Sequence, residues 1–126
     1  MREIKFRSWN TGIKEMLHFG LDNCCKVIHL RKQNIIMQFT GIMDNNCKEI
    51  YEGDIIKLTT TYNKVDIEHI AKVVFEKGTF ILGATTMCDS YMTFIEVDSE
   101  WDLEIIGNIH ENPELIAPLP KKEKEE

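Results

Sequence analysis

Three acids, Glu49, Glu52 and Asp54, crowd around Gly53. Carboxylates this close in sequence are the side chains that hold a hard cation or divide acid and base roles. No histidine and no second carboxylate motif accompanies them. Acids that flank a turn are usually solvated, so neither a catalytic set nor a metal set is assigned here. Cys24 and Cys25, with His29 following, suggest a metal site on residue type alone. Spacing and ligand count both fail the zinc templates, and adjacent side chains on a strand point to opposite faces. They read as small buried hydrophobes of a reducing compartment. His18, His69 and His110 stand beside no nucleophile, and nothing matches a nucleophile elbow, a phosphate loop or a dinucleotide fingerprint. The expectation is a chain that is not an enzyme and carries no cofactor.

The other chemistry is charge. Residues 1–40 hold seven basic groups and three acids, whereas residues 41–120 hold five basic groups and fifteen acids. Surfaces of opposite sign can attract each other within a chain or between copies. The basic side chains interleave with aromatics, and Lys5, Arg7, Trp9, Lys14, Arg31 and Lys32 are the candidate interaction surface. A basic groove with aromatic platforms also suits single-stranded nucleic acid. Against that, Lys5, Arg7 and Trp9 share one strand parity while Phe6 takes the other. The acidic centre would repel phosphates.

These residues must be positioned by short strands. Ile4 and Phe6 alternate with Lys5 and Arg7, which is strand periodicity. Asn10-Thr11-Gly12 reads as a turn, with a return strand over 13–19. Further strands are expected at 24–30 and 35–39, and a loop at 59–64. A hairpin is expected from 66–75 and 79–82, turned by Glu76-Lys77-Gly78. Residues 91–97 are open between strand and helical turn, and 103–109 close the sheet. Asn112-Pro113-Glu114 is a helix-start signature, and Pro118 and Pro120 limit that helix to one turn. With 126 residues, 43% hydrophobic and 29% charged, the chain suits one globular unit that needs no disulfide staple. No apolar run reaches membrane-helix length and the first residues lack a signal-peptide core, so a cytoplasmic protein with no membrane partner is expected.

Three ordered segments resemble the YopX family. They are Arg2-Glu3-Ile4-Lys5-Phe6-Arg7-Ser8-Trp9, residues 37–56 from Met37 to Ile56, and residues 103–115 from Leu103 to Leu115. The resemblance implies a small, mainly β protein of a bacteriophage or prophage, made in a bacterial cytoplasm, and it implies no particular activity. Its motif residues here are Gly41, Glu49, Tyr51, Gly53, Asp54, Gly107, Asn108, Asn112 and Pro113, read as structural. The family pattern usually has Gly where Cys47 stands, so Asn46 is expected to take the left-handed position instead. The expected fold is all-β, an antiparallel, partly closed barrel or sandwich with an N-terminal β-extension and a short C-terminal helical turn. The regions are 1–39, a YopX-like barrel region at 40–116, and a charged, solvated tail at 117–126. The expected role is a self-associating interaction module whose partner is a second copy or a phage or host protein, with nucleic-acid binding as the alternative.

Overall fold

A computed structural model describes residues 3–20, 34–84, 91–93 and 101–116. The expected strands at 24–30 and the residues Arg31, Lys32, Cys24, Cys25, His29 and Cys88 lie outside these described residues. Among the described residues, nine antiparallel strands form two sheets. Strands β1 (Lys5–Asn10), β2 (Glu15–Gly20), β3 (Asn34–Met43) and β4 (Glu49–Tyr51) are ordered β2-β1-β3-β4. Strands β5 (Asp54–Tyr62), β6 (Val65–Glu76), β7 (Thr79–Ala84), β8 (Tyr91–Thr93) and β9 (Asp102–Asn108) are ordered β8-β7-β6-β5-β9. The all-β expectation holds. Neither sheet closes on itself among the described residues, so no closed barrel is present. A 3-10 turn at Pro113–Leu115 is the helical turn anticipated from Asn112-Pro113.

Local chemistry explains the elements. The first hairpin turns where the Asn10 side-chain carbonyl accepts the Gly12 and Ile13 N–H groups, and Lys14 takes φ 57°. Residues 59–62 are strand rather than loop: Thr59, Thr60 and Thr61 are β-branched and extend β5 to Tyr62. The chain reverses only at Asn63 and Lys64, both at positive φ, the two-residue turn whose twist matches its strands.

The core gathers Ile50 of β4 with Ile56, Leu58, Ala71, Val73, Leu82 and Leu103. Ile56, Leu58, Ala71 and Val73 face one way because pairing sets Ile56 opposite Ala71 and parity repeats every second residue. The first sheet therefore packs its β3–β4 end onto the second. The boundary between residues 39 and 40 falls inside β3, and β4 joins the N-terminal strands in one sheet.

The turn from β3 to β4 reaches across to β9. Asp44 Oδ1 accepts the N–H groups of Asn46 and Lys48 at 2.8 Å each, while Oδ2 accepts that of Ile105 at 3.0 Å. Asn45 N–H bonds the Leu103 carbonyl and Asn45 Oδ1 accepts the Leu103 N–H. The left-handed residue is Cys47, at φ 64°, and not Asn46. Both Asn46 N–H and Lys48 N–H are tied to one carboxylate oxygen, and this wrap leaves the positive φ to the residue between them.

Candidate functional site

The inward face of β1 builds the site. Strand parity sends Lys5, Arg7 and Trp9 to the same side, toward the second sheet. Arg7 is buried, with its Nη2 2.8 Å from Asp54 Oδ1 at the start of β5 and 3.2 Å from the Glu52 carbonyl. Its guanidinium lies 5.0 Å from the centroid of the Tyr51 ring. Asp54 Oδ2 accepts the Tyr51 N–H at 2.8 Å, so the carboxylate bonds cation and backbone together. The Tyr51 hydroxyl donates to Glu49 Oε1 at 3.2 Å, and Lys5 donates to Glu49 Oε2. His18, paired opposite Arg7 in the β1–β2 register, meets the Tyr51 ring edge-on at 5.4 Å. Trp9 stacks on His110 at 5.7 Å.

A second layer sets the backbone. Gly53 has φ +90°, and a Cβ there would stand 2.9 Å from Met37 Sδ, so only glycine fits without displacement. Its N–H reaches the Val73 carbonyl and its carbonyl takes the Ile109 N–H. Asn108 Oδ1 accepts the N–H groups of His110 and Glu111, and its Nδ2 donates to Glu111. Asn112 Oδ1 accepts the Asn108 N–H and fills the space where a Cβ on Gly107 would lie. Pro113 then starts the 3-10 turn. Gly41, at φ +91°, serves the bulged β3–β4 pairing. The motif residues thus come together, with Gly41 at the far end of the same ladder.

Arg7, His18, Glu49, Tyr51, Asp54 and Asn108 line a polar cavity of about 350 Å³. Burial, helped by the neighbouring Glu49 charge, pushes the Tyr51 hydroxyl up to about 12. Its hydrogen bond from Lys5 holds Glu49 below the ordinary carboxylate value. Burial pushes Asp54 up, with Arg7 and the Tyr51 N–H opposing. Burial and the Arg7 charge both push His110 down. The three acids crowded in sequence are separated in space by function. Glu49 serves Lys5 and Tyr51, Asp54 serves Arg7, and Glu52 accepts the Gln38 N–H. Among the described residues no group of three His, Cys, Asp or Glu is placed to hold a metal ion. The arrangement is an ionic weld between the two sheets.

The candidate interaction surface is accordingly divided. Arg7 and Trp9 are buried against the second sheet and present nothing outward. Lys5 is half-buried and paired with Glu49 and Glu3, and Lys14 stands exposed on the first turn. The parity that set Lys5, Arg7 and Trp9 together points them inward, where Glu49 meets Lys5, Asp54 meets Arg7 and His110 meets Trp9. His18 and Asp44 went unassigned in the sequence. The β1–β2 register would have placed His18 opposite Arg7, whereas Asp44 acts on β9, far along the chain.

A family model described as YopX protein matches residues 2–117. The crystal structure of protein EF1440 from Enterococcus faecalis has the same fold, with a TM-score of 0.61 at 22% sequence identity. The match covers 93% of this chain and 100% of that one. No curated protein matches.

Proposed function

Because this chain belongs to the YopX family, we propose that it is a bacteriophage or prophage accessory protein of the bacterial cytoplasm, acting as a self-associating interaction module and not as an enzyme. The observation that carries the self-association is apolar surface on the first sheet. Leu17 and Ile36 both lie opposite Ser8, on one face, and are 52% and 36% exposed. Ile13, at the turn that leads into β2, is 64% exposed. Such a row matches itself under a two-fold axis, which is how most homodimers form. The polar groups of the cavity bond mainly to one another, which favours structure over turnover.

The nucleic-acid alternative is weakened by the same geometry. Arg7 and Trp9 are inside, and Lys5 has its counter-charge.

Size-exclusion chromatography with light scattering at about 50 micromolar tests the proposal. We expect a dimer or larger species, weakened about tenfold or more by Leu17→Lys or Ile36→Lys. A strict monomer at that concentration, indifferent to salt, overturns self-association. Saturable binding of oligonucleotides at low salt would restore the alternative.

A further inference from the structure

The polar cavity that holds Arg7, Tyr51 and Asp54 is also lined by Lys48 and Glu111. Its charged groups are of two kinds. Arg7 pairs with Asp54, and Glu49 pairs with Lys5, so these four cancel where they stand. Lys48 and Glu111 remain. They carry opposite charge and line one cavity, yet among the described residues no ion pair joins them to each other or to any other side chain. Lys48 reaches Asp44 only by longer-range attraction, and both Asp44 oxygens already accept backbone N–H groups. Glu111 commits Oε1 to the Asn108 amide, and among the described residues its second oxygen accepts no hydrogen bond.

The backbone under each of these two residues is fixed. The Lys48 N–H is bonded to Asp44 at the entry to β4, and the Glu111 N–H to Asn108 Oδ1 in the turn after β9. Both side chains are exposed, above a buried floor of Arg7, Tyr51 and Asp54. The rim therefore presents one cation and one anion on frames set before any ligand arrives, which lowers the ordering cost of binding.

A ligand with a single charge would satisfy one rim group and leave the other unmatched. A ligand with both charges matches both, and it adds no net charge to a cavity whose remaining ions are already balanced. We propose that this cavity binds a small zwitterion of the α-amino acid class, with its ammonium toward Glu111 and its carboxylate toward Lys48. The volume of about 350 Å³ lies near the lower end of the range for small-molecule sites, which suits one compact molecule. Binding needs no bond made or broken, and it stands whether or not the chain self-associates.

The test is an amide chemical-shift titration of the full, isotope-labelled chain with each standard amino acid, and with acetate and methylammonium as single-charge probes. At least one amino acid is expected to give saturable shifts around residues 48–54 and 107–112, with half-saturation below about 10 millimolar. Acetate and methylammonium should each bind about tenfold or more weaker. Lys48→Gln and Glu111→Gln should each weaken the amino acid by a similar factor, while Lys48→Arg keeps the charge and keeps binding. Both residues are exposed, and Glu111→Gln leaves a carbonyl oxygen for the Asn108 amide, so the variants keep the fold and the amide spectrum verifies it. Three results overturn the proposal. The first is no saturable shift with any amino acid. The second is a single-charge probe that binds as tightly as the best of them. The third is binding that survives either neutral variant unweakened.

Discussion

Asp44 holds three backbone N–H groups with two oxygens, two within its own turn and one on β9. Burial alone would raise its pKa, but the N–H donors of Ile105, Lys48 and Asn46 outweigh it and hold the carboxyl below its ordinary 3.8. A carboxylate with a depressed folded pKa stabilises fully above the unfolded value and loses that contribution as pH falls through the folded one. Glu49, held below 4.5 first by its hydrogen bond from Lys5, adds in the same direction. Asp44→Ala should therefore cost about 2–3 kcal/mol near neutral pH, with three donors left to find water. Most of that difference should vanish once the pH falls below the depressed folded pKa, where the wild-type carboxylate is protonated as well. Urea denaturation of both proteins at several pH values reads this directly, and a difference unchanged by pH would show that Asp44 acts only through its shape.

At the scale of strands and turns, the β5–β6 reversal offers the plainest engineering check. Lys64 sits at φ 67°, where a side chain is strained and glycine is not. Lys64→Gly makes the Asn-Gly pair that this turn type favours and should raise stability by about 0.5–1 kcal/mol in a thermal melt. Unchanged or lowered stability would mean that Lys64 makes an offsetting contact. The same hairpin marks how far the sequence could be read. Alternation revealed β1, and the Glu76-Lys77-Gly78 turn marked the β6–β7 hairpin, because the period of two and the turn residues both survive in residue type. The threonine run of β5 looked like a polar loop, since no apolar residue marked its inner side, yet three β-branched residues favour extension. Cys47 was assigned the wrong conformation because the wrap around Asp44 that dictates it is a tertiary contact. The site was legible as a set of motif residues, but its partners were not. Arg7 with Asp54, and Asp44 with Ile105, are far apart in sequence, and composition gives no range.

For the whole molecule, the charge asymmetry along the chain is spent partly inside it. Lys5 of the basic front end meets Glu49 of the acidic remainder within the first sheet, and Arg7 meets Asp54 across the sheet interface. The buried Arg7–Asp54 pair is the more consequential, because neither partner can turn to water if the other is lost, and Arg7 Nε already lacks an acceptor among the described residues. Arg7→Leu should cost about 3–5 kcal/mol by stranding Asp54, and Arg7→Leu with Asp54→Asn should recover part of it. A double variant as unstable as the sum of the singles would mean that the two residues act independently.

The hold of Asp44 and Asn45 on β9 bears on how the protein survives at high concentration. A bare outer strand is a template on which other chains can stack without limit. Here one short bend occupies the Leu103 and Ile105 amides and the Leu103 carbonyl. Growth along that side is thereby capped.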